Sequence, residues 1–146
     1  MSEQPLVPST QLGAQPVVLF ACIHNSGRSV AAKVLTEQLA GNQIEVRSAG
    51  SAPGETINPN VAMVLAERGL STENESPAFL SFDLVREADV VITMGCGETC
   101  PHVPGIRYED WTVDDPAGQE PDAVRLIVDD IEQRVRRLLA DLAITF

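Results

Sequence analysis

Val17-Val18-Leu19-Phe20-Ala21-Cys22-Ile23-His24-Asn25-Ser26-Gly27-Arg28-Ser29 decides the fold of this chain: an apolar run, a short Asn/Ser/Gly loop, and an arginine that opens a helical pattern. A buried strand that ends in such a loop and runs into a helix leaves several backbone N–H groups directed at one small volume, where the helix dipole favours negative charge. That volume suits a tetrahedral oxyanion. The amides of Ile23, His24, Asn25, Ser26, Gly27 and Arg28 are the candidate oxyanion-binding groups, and Arg28 adds a planar fork for two oxygens at once. Cys22 stands at the loop entrance, where the helix N-terminus and Arg28 both favour its nucleophilic thiolate form. Ser29 can donate a hydrogen bond to the same sulfur. For Cys22 and Arg28 alone, a buried strand-end cysteine and a surface cation would be the simpler reading; the strand before and the helix after change that.

Working outward, Val30, Ala31, Val34, Leu35 and Leu39 recur at helical spacing until Gly41-Asn42 ends the helix. Ile44-Glu45-Val46 begins a second strand, and Ser48-Ala49-Gly50-Ser51-Ala52-Pro53-Gly54 reads as a turn-rich loop. Asn58-Pro59 starts a helix whose buried face is Val61, Val64 and Leu65, closing at Gly69. Leu80 to Ala88 reads as a short helix, Asp89 to Met94 as a strand buried on both faces, and Ile106 to Trp111 as a weaker fourth strand. The last helix begins near Pro121 and stacks Val124, Ile127, Val128, Ile131, Val135, Leu138, Leu139 and Leu142 on one core-facing stripe; Arg134, Arg136 and Arg137 read as solvated cations near its C-terminal end. Alternating strands and helices predict an α/β fold: a single-domain, three-layer sandwich around a four-stranded parallel sheet. In such sheets ligands bind beyond the carboxyl ends of the strands, where the loops after Ala21, Met94 and Trp111 leave.

The 146 residues suffice for a substantial core, and with 44% hydrophobic residues the chain reads as globular. Residues 1–15, rich in Pro, Gln and Ser, read as a flexible tail before a folded domain at 16–146. No apolar stretch reaches the ~20 residues of a membrane span, and Met1 to Gln15 lacks the basic start and apolar centre of a signal peptide, so a cytoplasmic location without membrane association is expected. Three cysteines argue for thiols in a reducing compartment rather than a disulfide framework. The net charge of −11 argues against nucleic acid and requires any anion site to be locally positive.

Two further segments carry chemistry. In Gly95-Cys96-Gly97-Glu98-Thr99-Cys100-Pro101-His102, a helical-turn spacing of Cys96 and Cys100 would place their Cα atoms near ~6 Å, within disulfide range. Gly95, Gly97 and Pro101 weaken any stable helix, so the segment can change shape on oxidation. A metal site using Cys96, Cys100 and His102 is a second reading, although structural zinc wants a fourth ligand and none is evident; two inert buried thiols are a third. Gly95-x-Gly97 lacks the third glycine of a dinucleotide fingerprint. In Asp114-Asp115-Pro116-Ala117-Gly118, the proline after Asp115 biases it to an extended backbone that fixes where its carboxylate points. A carboxylic acid over the oxyanion can protonate a leaving oxygen. His24 reads as a rim residue rather than a base, and His102 has no evident partner.

The Cys22 loop, the strand ending Thr93-Met94-Gly95-Cys96 and the Asp115-Pro116 segment together resemble the arsenate reductases built on the low-molecular-weight protein tyrosine phosphatase fold, over residues 16 to about 142. Cys22, Asn25, Arg28 and Ser29 match the anion loop, Asp115 with Pro116 the acid segment, and Cys96 and Cys100 the two resolving cysteines of the thioredoxin-coupled branch. The best-known members of that branch place six residues between the resolving cysteines, whereas three stand here. Some members bind potassium with an acidic residue where this chain carries Lys33, whose ammonium can take the ion's place.

The resemblance implies arsenate reduction for arsenic detoxification: Cys22 attacks arsenate, Asp115 acts as general acid, and Cys96 and Cys100 relay the oxidation to thioredoxin or a similar dithiol. No metal or organic cofactor is implied. The nearest rival is a tyrosine phosphatase, which would use Cys22, Arg28 and Asp115 without the cysteine pair and would profit from an aromatic wall; Trp111 and Tyr108 are candidates for one, and equally natural strand residues. A reductase coupled to a low-molecular-weight thiol and a glutaredoxin-like protein is another. A non-catalytic oxyanion or redox sensor signalling through Cys96 and Cys100 is the third, with no DNA-binding helix or basic patch to support it.

Overall fold

The computed structural model describes residues 15–96 and 100–146, so the predicted tail lies outside the described residues except for Gln15. Strands β1 (Val17–Cys22), β2 (Glu45–Gly50), β3 (Val90–Thr93) and β4 (Arg107–Asp110) form one all-parallel sheet in the order β2-β1-β3-β4. Helices α1 (Arg28–Ala40), α2 (Pro59–Glu67), α3 (Phe82–Arg86) and α4 (Pro121–Asp141) connect or follow them. Side chains alternate across β1. Val18, Phe20 and Cys22 point into a core built with α1, α2 and α4, while Leu19 and Ala21 join Leu80, Val85, Ala88 and Val91 on the other face. The sheet is therefore covered on both sides, which explains the continuous apolar runs of β1 and β3.

Chain order reverses beside β1: β2 is added on one side, β3 on the other. The loop leaving the carboxyl end of β1 sits at this switch point, where open parallel sheets leave a crevice. The Asn58-Pro59 reading holds in detail, since Asn58 Oδ1 accepts from the N–H groups of Asn60 and Val61 and Pro59 opens α2.

Several expectations are corrected. Ser48-Ala49-Gly50 is strand rather than turn, pairing with Phe20, Ala21 and Cys22. The small residues serve close approach: a Cβ on Gly50 would lie 2.5 Å from the Ile23 carbonyl oxygen and 2.9 Å from the Asn25 nitrogen. Leu80 precedes α3, because Ser81 caps that helix through Leu84 N–H and Leu80 N–H instead bonds Gly50. Arg136 is exposed as expected and Arg134 is partly buried, and both have partners besides solvent. Arg134 bonds Asp130 and the Thr112 carbonyl, and Arg136 bonds Glu132, each carboxylate standing one turn earlier on α4.

Candidate oxyanion site

The Cys22 loop is held from behind by the segment that follows β2. Ser51, Ala52, Gly54 and Asn58 donate their N–H groups to the carbonyls of Cys22, Ile23, His24 and Ser26, at 2.7–3.1 Å. A trans peptide points its N–H opposite its C=O, so tying the carbonyls outward turns the next residues' amides inward. One of these contacts is visible: Asn25 N–H donates to the Cys22 sulfur at 3.2 Å. Asn25 is fully buried with φ 51°, a left-handed conformation that asparagine tolerates better than most residues.

A chain of hydrogen bonds fixes the second contact to the sulfur. Ala78 N–H donates to Asn25 Oδ1 at 2.9 Å, which turns Asn25 Nδ2 toward Ser29 Oγ, 2.7 Å away. The Ser29 oxygen is then an acceptor, leaving its own hydrogen for Cys22 Sγ at 2.9 Å. Cys22 and Ser29 are both buried.

Arg28, its side chain only 10% exposed, extends across the loop, with Nη1 donating to the Val113 carbonyl at 3.3 Å and Nη2 standing 3.7 Å from Asp115 Oδ2. Asp115 is half-exposed; its Oδ1 accepts from Ala117 N–H at 3.0 Å, so the Asp-Pro turn does orient the carboxylate. A small cleft is lined by Cys22, His24, Ser26, Gly27, Arg28 and Asn58 together with Asp115, Pro116 and Ala117. Gly27 permits this closure, since a Cβ there would lie 2.7 Å from the Pro116 ring.

Two glycines and a lysine act at the site through contacts that their place in the sequence does not reveal. Gly95 adopts φ +92°, and a Cβ on it would lie 2.6 Å from Arg28 Nη1. Gly95→Ala should cost about 1–2 kcal/mol of stability and displace the guanidinium, raising the KM for the oxyanion substrate roughly tenfold or more. A melting curve and substrate titration of the variant check both. Gly50 acts as described above. Lys33 bonds both oxygens of Glu75 at 2.8 and 2.9 Å, with Glu37 beside it. This pins the segment that carries Ala78, and the ammonium is thus occupied by protein carboxylates. Asn58 lines the cleft as well, although Asn-Pro signals only a helix start.

Burial pushes the Lys33 pKa down, but the hydrogen bond to Glu75 and the charges of Glu37 and Glu75 outweigh it, leaving the pKa raised. A raised lysine pKa stabilises the fold fully below the unfolded value of 10.5 and loses that contribution as pH rises through the folded value. Lys33→Met should therefore lower stability by about 1–3 kcal/mol at neutral pH, between the values for exposed and buried pairs. The gap to wild type should close only in strongly alkaline solution, as denaturant midpoints at pH 8 and above 10.5 would record.

Cys96 and Cys100 are joined in a disulfide, Cα–Cα 5.6 Å, just past β3. Cys96 is buried with Leu19, Ala21, Leu80 and Val91, on the sheet face opposite the Cys22 core; Cys100 is half-buried and packs at the edge of the same cluster. Gly97, Glu98 and Thr99 lie outside the described residues. His102 does have a partner, a stacked Tyr108 ring at 4.3 Å between centroids. The Tyr108 hydroxyl accepts from Val103 N–H and donates to the Pro101 carbonyl. Trp111 is buried against Phe20. Neither ring lines the cleft.

A cysteine held at the floor of a strand–loop–helix turn, with an arginine across the loop at the switch point of a parallel sheet, defines the class: an α/β protein with a cysteine–arginine loop. The chain belongs to the low molecular weight phosphotyrosine protein phosphatase family, whose pattern matches residues 17–145. Within that family it is similar to several arsenate reductases. A thioredoxin-dependent arsenate reductase of Corynebacterium glutamicum is 41% identical with TM-score 0.80, over 90% of this chain; the match spans 64% of that longer chain. The arsenate reductase of Archaeoglobus fulgidus is 32% identical with TM-score 0.72, covering 84% of this chain and 98% of its own. An arsenate reductase of Bacillus cereus is 30% identical over 126 residues, 82% of this chain and 91% of the relative.

Proposed function

We propose that the protein reduces arsenate to arsenite, with thioredoxin or a similar dithiol as electron source. The observation that carries the reading is the Cys96–Cys100 disulfide just past β3, since a phosphatase has no use for a redox pair at that place. Burial of Trp111 against Phe20 supports it too, because it removes an aromatic wall that would grip a phenol ring.

In this mechanism the Cys22 thiolate attacks arsenate held by Arg28 and the amides of residues 23–28, and Asp115 gives a proton so that one oxygen departs as water. A Cys22 sulfur–arsenic bond has formed and an arsenic–oxygen bond has broken. The Cys96 thiolate then attacks the Cys22 sulfur; the sulfur–arsenic bond breaks, its electron pair stays on arsenic, and arsenite leaves. The product is a Cys22–Cys96 disulfide. Cys100 attacks Cys96, releasing the Cys22 thiolate and leaving the Cys96–Cys100 bond for an external dithiol. Half-buried Cys100 is the accessible sulfur of that bond, so the reductant forms its mixed disulfide there and Cys96 is the leaving thiolate. No metal or organic cofactor enters this scheme.

No helix among the described residues is long and apolar enough to cross a membrane. A cytoplasmic enzyme in a reducing compartment, with no nucleic-acid or membrane partner, fits the free Cys22 and the net charge of −11. The test is arsenate-dependent NADPH oxidation in the presence of thioredoxin and its reductase. Sustained turnover is expected. Absence of turnover, with rapid aryl-phosphate hydrolysis that survives Cys96→Ser, would assign the protein to the phosphatases instead.

A further inference from the structure

His24 is the one loop side chain whose ring has a fixed proton. Its Nδ1 lies 3.0 Å from the Ala52 carbonyl oxygen, and a carbonyl only accepts, so Nδ1 carries the hydrogen. Ala52 N–H in turn donates to Ile23 O, and Gly54 N–H to His24 O, so residue 24 is held through its backbone and its ring. With Nδ1 so occupied, the neutral tautomer of the ring presents Nε2 as a hydrogen-bond acceptor. His24 is exposed and forms part of the cleft wall beside Cys22, Arg28 and Asp115. Beside the amide and guanidinium donors, an acceptor here, like the Asp115 carboxylate in the same cleft, is matched only when the bound anion brings a hydrogen of its own.

We infer that His24 selects a hydroxyl-bearing inorganic oxyanion, its Nε2 accepting from the As–OH or P–OH of the monoprotonated ion. This rests on the oxyanion-reductase reading above and deepens it. A phosphate ester in the same cradle has carbon on one oxygen and fewer hydroxyls to offer, so the contact favours the free inorganic ion. Sulfate, a tetrahedral dianion without a proton at neutral pH, separates this role from simple charge attraction.

The test measures phosphate and sulfate binding to the reduced protein by calorimetry, without reference to arsenate turnover. His24→Asn carries an amide that can still donate to Ala52 O but has no atom at the Nε2 position. His24→Gln reaches that position with an acceptor oxygen and abandons Ala52. With His24→Asn the phosphate Kd should rise roughly 3- to 10-fold, the range of one neutral hydrogen bond, while the sulfate Kd changes less than about twofold. With His24→Gln the preference for phosphate should be largely retained. Equal weakening of both anions in His24→Asn would mean that the ring acts as a charged donor, and would overturn the inference. A His24→Gln protein worse than His24→Asn would mean that only the anchor to Ala52 matters, and would also overturn it. If the wild-type protein binds neither anion, the oxyanion reading itself fails; if it binds both and the ratio is unchanged by His24→Asn, only the role of His24 fails.

Discussion

Cys22→Ser protein should fold, bind phosphate, and reduce arsenate slower than wild type by roughly four to six orders of magnitude, the loss typical when a catalytic nucleophile is removed. The fold should survive because the change is nearly isosteric and Ser29 and Asn25 N–H can still bond an oxygen at residue 22. Binding should survive because the inward amides and Arg28 are untouched. Steady-state arsenite production together with a phosphate titration checks the two halves separately. Retained turnover would place the nucleophile elsewhere.

The second large effect concerns the relay, where two serine variants should fail differently. Cys96→Ser should form no arsenite at all, since nothing attacks the Cys22 sulfur and no electron pair reaches arsenic. The arsenic adduct can only hydrolyse back, so exchange of labelled oxygen between arsenate and water should persist. Cys100→Ser should release about one arsenite per enzyme and stop at a Cys22–Cys96 disulfide, which mass mapping would identify. Undiminished turnover of Cys100→Ser with a low-molecular-weight thiol would sink the internal relay. The geometry makes the first transfer demanding. Cys22 faces the core of α1, α2 and α4, whereas Cys96 is buried across the sheet with Leu19 and Val91. Cys96 must leave that cluster and pass around the carboxyl end of β1 or β3 to reach its target, and transfer should be slower than substrate binding.

Much of this was legible in the chain because it lay in local patterns. The apolar runs of β1 and β3, the Asn-Pro start of α2 and the stripe of α4 follow from period and punctuation, and the Cys22 loop is a contiguous motif. What escaped depends on partners distant in sequence. Ser48-Ala49-Gly50 looked like a turn because glycine marks both turns and close approach, and only the Ile23 carbonyl above it distinguishes them. Gly95 gave no sign that its missing side chain makes room for Arg28, 67 positions away. Lys33 could be placed beside the loop, but its bond to Glu75 on a later segment could not be read. His102 lacked a partner until β4 set Tyr108 beneath it.

The hydrogen bonds that run from Ala78 through Asn25 and Ser29 to Cys22 have a direction, and that direction can be inverted without moving a heavy atom. A carboxylate at position 25 would accept where the amide now donates, drawing the Ser29 hydrogen away from sulfur. Hydrolysis of a side-chain amide produces that same change spontaneously as proteins age. A stored preparation that loses rate with no loss of Cys22 and gains one mass unit at residue 25 would carry that damage, visible to a mass spectrometer and nearly invisible in the shape of the molecule.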